Sequence, residues 1–209
     1  KKRYIMTKIY EKFPEITDVK AKVLSKKFVN NNTYLILDKT IFMPQNDTLI
    51  DELGHIGGHK VLSVEKKKDN IIHLVEGRES RTNLLLSLDK EARFHNLYYA
   101  TSFSLFKIFF SSYYKADRIS FKLYEDYGEI IILNPSRDFD PNLIEELVNY
   151  AIDKGLSLSL DKGIVELKSI GKTINNLISF DNTYKIKSFE IVECLVEENN
   201  TVISFKAGK

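Results

Sequence analysis

The segment DKEARFHNLYYATSFSLFKIFFSSY, residues 89–113, separates two halves of different character. It holds neither Gly nor Pro, the residues that most often interrupt a helix. Ala92, Leu97, Ala100, Phe103, Phe106 and Phe110 recur along it at helical spacing. Its C-terminal half is apolar nearly all round, the pattern of a helix covered on every side. One long helix is therefore expected from Asp89 to about Tyr113, buried as a central element.

The residues before this helix read as mostly β. Asp18 to Phe28 alternates, with Val19, Ala21 and Val23 on one face and lysines on the other. Asn30-Asn31-Asn32 marks a turn, and Thr33 to Leu37 returns as a strand. Thr40 to Met43 continues until Pro44 stops it. Val61 to Val64 and Ile71 to Val75 flank the charged turn Lys66 to Asn70, and Thr82 to Leu88 adds one more strand. Short strands with polar turns suit a small barrel or folded sheet.

After the helix, Asp117 to Leu133 reads as a hairpin turning near Asp126 and Gly128. A second helix is bounded by Asp140 as N-cap, Pro141 at its first position and Gly155 after its last turn. Leu156 to Leu160, Ile164 to Lys168, Tyr184 to Val196 and Thr201 to Phe205 supply further strands. The expectation is an α+β chain of two domains: a small β-barrel over residues 1–88 and a helix-on-sheet domain over residues 89–209.

Composition narrows the function classes. Hydrophobic residues make up 43% of the 209, as in a globular protein. No apolar run reaches the roughly 20 residues that span a bilayer, and no apolar signal core follows Lys1-Lys2-Arg3, so a cytoplasmic protein is expected. The single cysteine, Cys194, excludes an internal disulfide and a cysteine-rich metal cluster. A net charge of +2 does not itself announce nucleic-acid binding; a local patch must supply it.

Few constellations could carry chemistry. His55-Ile56-Gly57-Gly58-His59 places two histidines four apart, and with His73, His95 or a carboxylate they could share a metal; two intervening glycines argue instead for a turn entering a strand. Cys194 lacks a cationic neighbour to make it a thiolate. No glycine-rich phosphate loop and no nucleophile-elbow motif occurs.

The order of certain short motifs does point somewhere. Thr40-Ile41-Phe42-Met43-Pro44-Gln45-Asn46-Asp47-Thr48-Leu49 leads to Glu52-Leu53-Gly54, and Ile71-Ile72-His73 follows. Leu86-Ser87-Leu88-Asp89 and Arg93 then open the long helix. Asp138-Phe139, the helix Ile144-Glu145-Glu146-Leu147-Val148-Asn149, and Asn182-Thr183 with Ile186 and Phe189 complete the series. In this order they resemble the AlaX-type alanyl-tRNA editing proteins, relatives of the editing domains of alanyl- and threonyl-tRNA synthetases. The resemblance implies a small barrel ahead of an α+β domain, and an aminoacyl-tRNA deacylase that holds one zinc ion through His-x-x-x-His on the long helix and Cys-x-x-x-His before Asn-Thr.

This chain departs from that pattern at the chemistry. Counting from Arg93 and from Asn182, the four zinc positions are Tyr99, Phe103, Asn175 and Ser179, so no zinc cofactor is expected. The family's triple-glycine substrate loop reads Asn46, Asp47 and Thr48, with Leu49 in place of Gln. No catalytic residue is assigned. A non-catalytic homologue that binds tRNA or aminoacyl-tRNA is the leading expectation, with Lys20, Lys22, Lys26 and Lys27 as candidate nucleic-acid contacts. One alternative is a structural or partner-binding protein, a homo- or hetero-dimer mate of an active relative, suggested by 13 Phe and 11 Tyr. Another is a metal-independent ester hydrolase using His95, Asp89 and Tyr98.

Overall fold

A computed structural model describes residues 6–136 and 139–208. Asp138 of the Asp138-Phe139 motif and the basic Lys1-Lys2-Arg3 start lie outside the described residues. The chain is mixed and strand-rich, and it divides into two compact units: Lys1–Asn46 with Asp51–Phe94, and Asp47–Ile50 with His95–Lys209. No helix among the described residues is long and apolar enough to cross a membrane.

The first unit begins with β1 (Thr7–Lys8) and α1 (Ile9–Lys12), followed by β2 (Asp18–Val29), β3 (Asn32–Leu37) and β4 (Lys39–Thr40). The expected strand over Thr40 to Met43 is thus displaced: β4 pairs with β1 in parallel and ends at Thr40. There the Thr40 hydroxyl accepts the Phe42 amide and turns the chain out of the strand. β5 (His55–Ile56), β6 (His59–Lys67), β7 (Asn70–Glu76) and β8 (Asn83–Ser87) follow. Pairing runs β2–β3–β7–β6–β5–β8 and returns to β2, so the six strands form a closed ring. Leu35, Leu37, Ile56, Val61, Val75 and Leu86 fill it, each fully buried.

The long helix, α2, spans Lys90–Tyr113. Asp89 is its cap, its carboxylate accepting the Ala92 amide at 3.0 Å. In the second unit β9 (Arg118–Leu123) and β10 (Gly128–Leu133) make the expected hairpin, and α3 spans Pro141–Lys154. Asp140 accepts from the Asn142 amide at 2.9 Å, and Gly155 closes α3 in the left-handed region at φ 60°. β11 (Leu158–Asp161), β12 (Ile164–Leu167) and β13 (Gly171–Ile174) form a three-stranded sheet. β14 (Phe189–Val196) and β15 (Asn200–Ala207) join the hairpin in a sheet ordered β14–β15–β10–β9. The expected strand from Tyr184 is corrected at its start. Thr183–Ile186 is a 3₁₀ turn, because the Asn182 side chain caps it, accepting the Tyr184 amide at 3.0 Å.

Candidate functional site

In the second unit α2 presents two neighbouring faces. Tyr99 and Phe103, one turn apart, lie against the sheet: Tyr99 packs on Phe205 with ring centres 5.3 Å apart, and Phe103 stacks on Phe121 at 4.9 Å. The Tyr99 hydroxyl reaches the Asp126 carbonyl only at 3.4 Å, and burial raises its pKa, so it stays a neutral phenol.

About 100° further round the helix, the next face carries Ala100, Thr101 and Ser104, against which residues 175–180 are laid. The Asn175 side-chain amide donates to the Ala100 carbonyl at 3.3 Å and to the Ser104 hydroxyl. Ser104 itself donates back to Ala100 at 3.0 Å, and the Phe180 amide donates to the Thr101 hydroxyl at 3.0 Å. Ser179 donates to the Phe180 carbonyl at 2.9 Å. The structure therefore brings Asn175 to Ala100 and Ser104, which are also four apart, and turns Tyr99 and Phe103 toward the sheet. The small residues Ala100, Thr101 and Ser104, set among the aromatic residues of the helix, are the sequence signal for this close approach. Whether the helix pair is taken as Tyr99 and Phe103 or as Ala100 and Ser104, the residues are phenol, phenyl, methyl, hydroxyl or amide. Zinc takes thiolate, imidazole and carboxylate ligands, so the group present does not fit that ion.

Residues 48–50 are fastened down. Leu49 is buried, the Thr48 carbonyl accepts the Leu123 amide at 2.7 Å, and Asn96 bonds both backbone groups of Ile50. Asp47 is exposed within the same unit, and Asn46 is exposed in the first.

In the first unit the three histidines have separate surroundings. His55 is exposed, and His59 lies 3.5 Å from the Glu79 carboxylate. Glu79 is held below the usual carboxylate range chiefly by hydrogen bonds from the Arg81 guanidinium. The Gly57-Gly58 pair forms the turn from β5 into β6, with both φ angles positive. His73 is fully buried, bonded to the Thr40 hydroxyl at 2.8 Å and near the Leu35 carbonyl at 3.4 Å. Among the described residues no cluster of three or more His, Cys, Asp or Glu is arranged to hold a metal ion.

Burial pushes the His73 imidazole down to about 4, so it is neutral near pH 7. Unfolded histidine titrates near 6.5, so between the two values only the unfolded state takes the proton. Stability is full above about pH 6.5 and falls as pH drops toward 4, by roughly 3 kcal/mol in all. Urea unfolding at a series of pH values should show this slope, and His73→Gln should flatten it.

The residues proposed for acid–base work also have structural partners. Asp89 caps α2, and the His95 ring lies 4.7 Å from that of Tyr99. Tyr98 packs on Phe180 at 5.6 Å with the Lys187 ammonium 5.1 Å from its ring. Burial raises the Cys194 thiol pKa, the wrong direction for a nucleophile.

The four candidate lysines do not all share a face. Lys20 and Lys22 pair with Leu85 and Asn83 of the neighbouring β8 and point outward. A bulge between Val23 and Ser25 then shifts the strand by one residue. Lys27 consequently joins the outward side opposite Tyr34, whereas Lys26 falls opposite buried Leu35 and folds back so that its ammonium donates to the Ser80 carbonyl.

Several residues that carry the family resemblance have structural bonds. Fully buried Arg93 donates to Glu52 at 2.6 and 2.9 Å and to the carbonyls of Pro14 and Ile41 at 2.7 Å each. A Cβ on Gly54 would stand 2.2 Å from the Ser87 carbonyl oxygen, so only glycine admits that approach. Asn149 bonds both backbone groups of Phe189, and Glu145 accepts the Ile191 amide at 2.6 Å, tying α3 to β14.

The chain is similar to the alanyl-tRNA editing protein AlaX-L of Pyrococcus horikoshii, with 25% identity over 134 residues. The match covers 60% of this chain and 33% of that protein, so the chain spans about a third of its relative. No family model matches the chain. The similarity supports a relationship to alanyl-tRNA editing proteins.

Proposed function

We propose that this chain is a relative of the alanyl-tRNA editing proteins whose zinc-dependent deacylase site has become packed core, and that it binds tRNA or aminoacyl-tRNA without hydrolysing it. The observation that carries this reading is the Asn175 amide, which bonds to Ala100 and Ser104 on α2 where the resemblance calls for a ligand pair facing a helix pair. A one-residue shift of the helix register puts Ala100 and Ser104 at the family's histidine positions, and neither register supplies a zinc ligand. Asp89, Arg93, Glu145, Asn149 and Asn182 match the family and make structural bonds. That division, framework kept and chemistry replaced, fits a binding protein descended from a hydrolase better than a hydrolase of a new type.

The test is binding of labelled alanine tRNA, charged and uncharged, in low salt. The reading expects saturable binding that weakens steeply as salt rises, because phosphate contacts release counterions. Absence of binding in low salt would remove the tRNA part of the proposal.

A further inference from the structure

We infer that the outward face of β2, bearing Lys20, Lys22 and Lys27 beside Tyr34, is the surface on which this protein holds an RNA backbone. The inference rests on the tRNA-binding reading and assigns it a place. Strict alternation along the strand would set Lys26 beside Lys20 and Lys22 and turn Lys27 inward. The bulge between Val23 and Ser25 reverses that phase and brings Lys27 onto the outer face. The three lysines carry no ion pair among the described residues, whereas Lys67, Arg81 and Arg93 are each held by a carboxylate. The acids nearest them in the pairing are engaged: Asp18 accepts from the hydroxyls of Thr17 and Ser87, and Asp38 accepts the Lys22 amide at 2.7 Å.

Alternate residues of a strand stand ~6.6 Å apart. Lys20 and Lys22 can therefore meet successive parts of one backbone from a rigid base. Tyr34, directly across from Lys27 and 37% exposed, adds a ring on which a base or ribose can rest. Lysines along one strand face beside a single exposed aromatic suit recognition of backbone and shape rather than of sequence.

The experiment compares wild type, the triple variant Lys20→Gln, Lys22→Gln, Lys27→Gln, and a charge-matched control, Lys154→Gln, Lys168→Gln, Lys172→Gln. Each is titrated with a labelled RNA hairpin across a salt series, with circular dichroism to confirm folding. The slope of log affinity against log salt should fall by about 2–3 in the triple variant and by less than about one in the control. A triple variant with the wild-type slope overturns this surface while leaving tRNA binding intact. A wild type that ignores RNA overturns both, as does one that binds anionic lipid vesicles instead.

Discussion

Replacing Arg93 by methionine is expected to lower the stability of the first unit by about 3–5 kcal/mol, read from urea unfolding at neutral pH. The guanidinium is fully buried and makes two bonds to Glu52 and one each to Pro14 and Ile41. Methionine fills similar space and satisfies none of those acceptors. The Glu52 carboxylate would be left buried without its cation, and the two carbonyls would lose their donor. Such a loss is a large part of a typical domain's stability, so the single variant is expected to express poorly. Pairing it with Glu52→Leu removes the orphaned charge and should recover a good part of the loss. If the single variant were as stable as wild type, the ion pair would not be fastening Pro14, Ile41 and Glu52 to α2.

Phe103→Ala is the second large effect, an expected loss of about 3–5 kcal/mol in the second unit. The ring is buried, stacks on Phe121, and has the Lys107 ammonium 5.3 Å from its centre. Truncation leaves a cavity between helix and sheet, with both walls held by regular structure that cannot close over it. Tyr99→Phe is the matched control. It keeps the ring against Phe205 and loses the hydroxyl's 3.4 Å contact with the Asp126 carbonyl and its hydrogen bond with the Ala207 backbone, so it should cost about 1 kcal/mol, well below the truncation. The contrast separates aromatic residues that serve as core from aromatic residues that serve a ligand. A Phe103→Ala variant with unchanged stability would mean that this face of α2 is open.

The sequence makes the framework readable where one physical signal dominates. α2 runs from its Asp89 cap to Tyr113 as its apolar spacing requires, and α3 lies between Asp140 and Gly155 because cap, proline and glycine all agree. The hairpin of β6 and β7 follows from its charged turn. Misreadings fall where a side chain overrides the backbone pattern. Thr40 ends β4 early, and Asn182 draws Tyr184 into a 3₁₀ turn, each through one hydrogen bond to an amide two residues on. The short strands β1, β5 and β13 have too few residues to show alternation.

The candidate site was legible in its composition and not in its geometry. That no histidine follows His95 is plain from the letters alone. Which helix face meets Asn175 is a matter of 100° per residue, and spacing counted from a distant Arg93 cannot resolve it. The structure answers it through the bonds from Asn175 to Ala100 and Ser104. The lysine face is similar. Alternation gives the correct partners only up to Val23, because the extra residue of the bulge leaves no mark in the hydrophobic pattern.

The central claim is that framework is kept while hydrolysis is lost. Its most direct test is the release of serine from mischarged seryl-tRNA of the alanine type, with zinc supplied and then with a chelator, alongside the protein's metal content after purification in zinc. The account predicts no bound zinc and no release above the uncatalysed rate in either condition. Stoichiometric zinc with release that the chelator abolishes would contradict it, and would mean that ligands converge in a way the bonds around Asn175, Ala100 and Ser104 do not allow.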